Sequence, residues 1–196
     1  MIPSGTTFMG IIGRDTDCER VSALLADHRI VTLVGPGGIG KTTLANEVGH
    51  RNGDGFGGGV LVSELSGADD EDDIRSVVAR QLGFESLDAV RVKAAGTRML
   101  VILDNCESAV AQAASVAETL VDGGTDIVVL ATSRVPLQIV GERVVNVDSL
   151  SLPEVDEPQV IQEAAAAQLF LDRAGAAGAT WGLTDETLLA IGQLVR

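Results

Sequence analysis

The sequence predicts an α/β fold of three layers, a five-stranded parallel sheet between helices, followed by the start of a small helical subdomain. Three observations predict it. Short aliphatic, β-branched runs alternate with helically spaced segments up to about residue 147. A glycine-rich loop, residues 35–42, sits between one such run and the helix after it. Apolar residues make up 45% of the 196 but aromatics only 3%. The core is therefore Val, Leu, Ile and Ala, as suits a parallel sheet buried on both faces.

The elements follow in order. Residues 1–9 are a loose lead-in. A helix is expected from about Asp15 to His28, with Val21, Leu24 and Leu25 on one face. Ile30 to Val34 is the first strand, and the helix after the glycine loop runs from Lys41 to about His50. Arg51 to Gly59 is turn-like, and Val60 to Leu65 is the second strand. The acidic run Asp69 to Asp73 suits the first turn of a helix carrying Ile74, Val77, Val78 and Leu82, which Gly83 ends. Val90 to Thr97 reads as a short helix and turn. Met99 to Asp104 is the third strand, and Ser108 to Val121 is an Ala-rich helix stopped at Asp122-Gly123-Gly124. Asp126 to Thr132 is the fourth strand, Arg143 to Val147 the fifth. Past Leu150 the texture changes: Pro153, Pro158 and acidic residues form a linker, then two helices are expected near 159–174 and 184–196. The expected domains are thus 1–150 and 151–196.

Gly35-Pro36-Gly37-Gly38-Ile39-Gly40-Lys41-Thr42 matches the phosphate-binding loop pattern G-x-x-x-x-G-K-[ST] at every fixed position. Glycines let backbone N–H groups turn inward around an anion. Lys41 supplies a compact positive charge for the β- and γ-phosphates, Thr42 a hydroxyl for Mg²⁺, and the helix start at Thr42 and Thr43 attracts phosphate. Asp104, at the carboxyl end of an apolar strand, is the expected second Mg²⁺ ligand, acting through water. With an extra strand between the loop strand and the Asp104 strand, strand four fills that slot, and the order is 5-1-4-3-2. Thr132, Ser133 and Arg134 then emerge at the γ-phosphate, where Arg134 reads its presence. A water-orienting carboxylate is expected just after Asp104. Asn105 stands there instead, and Glu107 is the nearest acid; it serves either as that group or as a cap for the helix beginning near Ser108.

A net charge of −14, with lysines only at 41 and 93, repels nucleic-acid phosphates, so no direct nucleic-acid binding is expected of this sequence. Cys18 and Cys106 have no metal spacing and fit a reducing, cytoplasmic setting. No apolar run is long enough to span a membrane, and residues 1–5 lack the features of a signal peptide.

Taken together, Ile12-Gly13-Arg14-Asp15, the phosphate loop, Val62-Ser63-Glu64-Leu65, Leu103-Asp104-Asn105-Cys106-Glu107, Ala131-Thr132-Ser133-Arg134 and Ala167-Gln168-Leu169-Phe170-Leu171-Asp172-Arg173-Ala174 occur in the order found in one family. The sequence resembles the nucleotide-binding domain of STAND-class signalling ATPases, the group that includes NB-ARC proteins, and is most similar to bacterial transcriptional regulators with a LuxR-type or SARP-type DNA-binding domain. The resemblance implies an ATP/ADP switch with slow Mg²⁺-dependent hydrolysis. It implies that Gly13 and Arg14 lie near adenine and ribose, that Lys41, Thr42 and Asp104 hold phosphate and Mg²⁺, and that Arg134 senses the γ-phosphate. It implies partners within a longer chain (a winged helix, sensor repeats, a DNA-binding effector) and nucleotide-dependent self-association. A Gly-Leu-Pro-Leu motif and a winged-helix His are expected beyond residue 196, so the sequence alone is expected to bind nucleotide weakly. The alternatives are a stand-alone ATPase or kinase-like enzyme, for which no acceptor site or lid is legible, and a scaffold with a degenerate site.

Overall fold

The structure is a computed structural model that describes residues 11–65, 71–122, 126–180 and 182–196, with the side chains of 71–73 excepted. The lead-in over residues 1–9, Asp69 and Asp70 of the acidic run, and Gly123-Gly124 of the expected helix stop lie outside what is described. The chain divides into two compact units: residues 17–148, and residues 11–16 with 149–196.

The first unit is built on five parallel strands: β1 (Ile30–Val34), β2 (Val60–Glu64), β3 (Met99–Asp104), β4 (Ile127–Ser133) and β5 (Glu142–Asn146). Their order is β2-β3-β4-β1-β5, the expected 5-1-4-3-2 read from the other edge. Strand β4 is buried along its whole length, and β1 and β3 nearly so. That explains their unbroken aliphatic sequence.

Helices cover both faces. Alternate residues of a strand point to opposite sides. One face carries Met99, Val101, Leu103, Ile127 and Val129, which share a core with α3 (Glu71–Gln81), α4 (Leu87–Lys93) and α5 (Val110–Val121). The other carries Leu100 and Ile102, against which α2 (Lys41–Arg51) packs at Gly49; a Cβ there would lie 2.9 Å from Ile102 Cδ1. Helix α1 (Asp15–Asp27) buries Cys18, Val21 and Leu25.

Local chemistry accounts for the boundaries. Helix α3 ends at Gly83 (φ 85°): Phe84 N–H donates to Ala79 O and Gly83 N–H to Arg80 O, a Schellman closure. Helix α4 starts at Leu87, three residues before the expected Val90, because the Ser86 hydroxyl accepts from Ala89 N–H. A 3₁₀ turn, Cys106–Ser108, precedes α5, which starts at Val110 rather than Ser108.

In the second unit the single helix expected over 159–174 is two, α6 (Pro158–Glu163) and α7 (Ala165–Ala176), followed by α8 (Asp185–Val195). The break falls at Ala164, whose ψ of 129° is extended. Ser151 supplies what the new helix start needs: its hydroxyl accepts from Ala165 N–H and its carbonyl from Ala166 N–H. Ile161, Ala164, Ala167, Leu188 and Ile191 form this unit's small core. Among the described residues, no helix is long and apolar enough to cross a membrane.

Candidate functional site

Parallel strands bring their carboxyl ends together, and that is where polar residues replace the aliphatic run. The register pairs Leu33 with Thr132 and Val34 with Ser133, and Leu103 with Ala131. Asp104, the loop and Thr132 therefore meet at one end of the sheet.

The loop leaves β1 at Gly35, whose N–H donates to Ser133 O. Gly38 (φ 78°) and Gly40 (φ 98°) occupy the left-handed region, where a side chain is strained. Gly40 is the N-cap of α2, and the N–H groups of Lys41, Thr42 and Thr43 have no intrahelical carbonyl. Pro36, Gly37 and Gly38 are exposed; Gly35, Ile39 and Gly40 are half-buried. Lys41 is buried, and its Nζ donates to Gly35 O at 2.9 Å and Pro36 O at 3.1 Å. The loop thus combines a helix N-terminus, with its open first-turn N–H groups, and a fixed ammonium, the elements of an anion cradle.

Beside it lies an oxygen cluster. Thr42 Oγ1 donates to Asp104 Oδ1 at 2.8 Å, and Thr132 Oγ1 donates to the same oxygen at 2.6 Å. Thr132 also accepts from Asn105 N–H at 3.0 Å. Asn105 is left-handed (φ 61°, ψ 41°), a conformation Asn tolerates better than most residues. Among the described residues no three His, Cys, Asp or Glu side chains gather as a metal cluster. A hydroxyl and one carboxylate at hydrogen-bond distance nevertheless fit Mg²⁺, which is held through one or two carboxylates with the remaining positions left to phosphate and water.

Arg134 follows β4. Its Nε donates to Glu107 Oε1 at 3.2 Å, and its guanidinium lies against Gly37 of the loop. Neither the 3₁₀ turn nor α5 has a side-chain cap; the Glu107 bond goes to Arg134. Between Asp104 and Glu107 the Cys106 thiol is fully buried, and burial, with both carboxylates adding, pushes it up to about 12.

The structure therefore brings together Gly35, Pro36, Gly37, Gly38, Ile39, Gly40, Lys41, Thr42, Thr43, Asp104, Glu107 and Arg134. Gly13 and Arg14 belong to the second unit. There Gly13 (φ 68°) packs on α7: a Cβ on it would lie 2.3 Å from Ala165 Cβ. Arg14 is buried. The sequence reading sent Thr132 and Ser133, with Arg134, to the γ-phosphate. Thr132 and Ser133 are both buried: the Ser133 hydroxyl accepts from Val135 N–H, and the Thr132 hydroxyl is bonded to Asp104 and Asn105. That role depends on the β3–β4 register, and only the predicted strand order pointed towards it.

Comparison with known proteins follows the same line. A model of the NB-ARC domain matches residues 14–135. A candidate HTH-type transcriptional regulator of Mycobacterium tuberculosis is 31% identical over 180 residues, covering 89% of this chain and 19% of its own length. The regulatory protein AfsR of Streptomyces coelicolor is 32% identical over 172 residues, covering 76% of this chain and 16% of its own. The chain thus spans less than a fifth of the length of these two relatives. A STAND protein with a tetratricopeptide repeat sensor from Pyrococcus horikoshii has the same fold, with a TM-score of 0.54 at 16% identity, over 98% of this chain and 28% of its own.

Proposed function

The chain belongs to the NB-ARC family, and from that premise we propose that it is the ATP/ADP-binding switch domain of a signalling protein, a transcriptional regulator, with slow Mg²⁺-dependent hydrolysis. The observation that carries this reading is the Thr42–Asp104–Thr132 cluster beside a complete phosphate loop. The domain division proposed is 1–150 for nucleotide and 151–196 for the first helices of a second domain.

In this reading the N–H groups of Gly38, Gly40, Lys41, Thr42 and Thr43 and the Lys41 ammonium hold the phosphates. Thr42 and Asp104 hold Mg²⁺, which when bound neutralises charge on the β- and γ-oxygens. Thr132 keeps the Asp104 carboxylate turned towards Thr42. Arg134 reads the third phosphate, and Glu107 orients the attacking water. Gly13 and Arg14 are proposed near the base and ribose. Slow turnover is expected because Asn105 stands where an acid would orient the attacking water. The relatives' names support the regulatory role, in which winged-helix, sensor and DNA-binding segments and self-association are the proposed partners, and the proposed location is the cytoplasm.

The test is titration of the intact protein with ADP and ATP in Mg²⁺, with turnover measured alongside. Tight ADP retention with slow turnover is expected, and Lys41→Ala should abolish binding. Retained affinity in that variant refutes the site. Turnover of several per second points instead to a self-contained enzyme.

A further inference from the structure

The ion pair at the mouth of the loop has members with competing uses. Arg134 Nε bonds Glu107 Oε1 at 3.2 Å, while a Cβ on Gly37 would lie 3.2 Å from Nη2, 3.6 Å from Cζ and 3.8 Å from Nε of the same guanidinium. The two side chains differ in freedom. Arg134 is 65% exposed on a long flexible stem, whereas Glu107 is 18% exposed. Glu107 sits on a 3₁₀ turn that Ser108 fastens, its hydroxyl bonded to Leu65 O and Asn105 O. Glu107 Oε2 is buried with no hydrogen-bond partner. A carboxylate with one oxygen unsatisfied depends on the charge facing the other, and that charge is Arg134.

We propose that Glu107 masks Arg134, so that a nucleoside triphosphate must win the guanidinium from Glu107 and this competition sets the preference of the site between ATP and ADP. The inference rests on the nucleotide-switch reading. A terminal phosphate offers three charged oxygens in bidentate geometry and outcompetes one carboxylate. A diphosphate ends one phosphoryl group short and leaves the pair intact. The exchange also frees the Glu107 carboxylate to accept a hydrogen bond from water, so sensing the third phosphate and uncovering Glu107 become one event.

A double-mutant cycle on the intact protein tests this, with Mg²⁺ present and affinities for ADP and a non-hydrolysable ATP analogue measured by calorimetry. Glu107→Gln, nearly isosteric, should raise the analogue-to-ADP affinity ratio about twofold to fivefold, the scale of one partly exposed ion pair. Arg134→Ala should lower the ratio, and in that background Glu107→Gln should do nothing. Masking is overturned if Glu107→Gln leaves the ratio unchanged, even with slower turnover, or if its effect persists without Arg134. Thermal melting confirms that each variant is folded, and Glu107→Ala must shift the ratio in the same direction. If Lys41→Ala binds normally, the nucleotide reading itself fails; if it abolishes binding while the cycle is flat, only the masking fails.

Discussion

Thr132→Val removes one hydroxyl and keeps the side chain's shape. That hydroxyl is 1% exposed as part of its residue, donates to the Asp104 carboxylate at 2.6 Å and accepts from Asn105 N–H at 3.0 Å. A hydrogen bond to a charged group contributes about 1.5–3 kcal/mol, and a stranded N–H costs about 1 kcal/mol or more. Asp104 keeps its bond from Thr42 and is only half-buried, so water recovers part of the loss. The net is about 2 kcal/mol of stability, or a Tm lower by about 4–8 °C for a domain of this size. A second effect separates positioning from mere stability. Asp104 is no longer held towards Thr42, so the Mg²⁺ concentration that half-saturates nucleotide binding should rise several-fold. Thr132→Ser, which keeps the hydroxyl, should restore both values. A Thr132→Val protein within 0.5 kcal/mol of the parent, with unchanged Mg²⁺ dependence, would show that the hydroxyl does not position Asp104.

Two further outcomes follow from packing and burial. The Cys106 thiol keeps its proton in the folded state up to about 12 against an ordinary 9.0, so its contribution to stability is complete below about pH 9 and is lost as pH rises towards 12. The slope approaches about 1.4 kcal/mol per pH unit. Denaturant melts between pH 8 and 10.5 should show a steeper decline for the parent than for Cys106→Ala; parallel declines would refute it. Gly49→Ala places a Cβ 2.9 Å from Ile102 Cδ1 and 3.0 Å from Val60 Cγ1. Overpacking of about 1–3 kcal/mol outweighs a helix-propensity gain of about 1 kcal/mol, so a net loss near 1 kcal/mol is expected in equilibrium unfolding. A stabilised variant would mean that these side chains yield freely.

What the sequence made legible was what depends on local pattern. Strands buried on both faces must be continuously aliphatic, so β1, β3 and β4 announce themselves, and the loop's spacing identifies it. What stayed hidden depends on residues far apart in the chain. Ser151 starts α7 from fourteen residues upstream; within the run Ala164 to Ala167 nothing local signals a break, because alanine favours helix on both sides of it. Gln81 is a similar case. Its amide accepts from Glu64 N–H and donates to Glu64 O, occupying the open edge of β2. Covering an edge in this way discourages pairing with another strand, but only the fold places Gln81 beside Glu64.

Asn105 joins the two kinds of information. Read locally, it is a lost acid next to the proposed Mg²⁺ carboxylate, hence the expectation of slow hydrolysis. In the fold it is also the left-handed residue that turns β3 into the 3₁₀ segment, with its N–H on Thr132 and its carbonyl receiving the Ser108 hydroxyl. The turn at 105 sets where Cys106 is buried and where Glu107 meets Arg134. A residue that resists this conformation would displace Glu107 as well as Asp104. The same position therefore shapes both halves of the proposed chemistry, the carboxylate that faces the loop hydroxyl and the carboxylate that restrains the arginine. Its side chain need not touch nucleotide for its identity to matter.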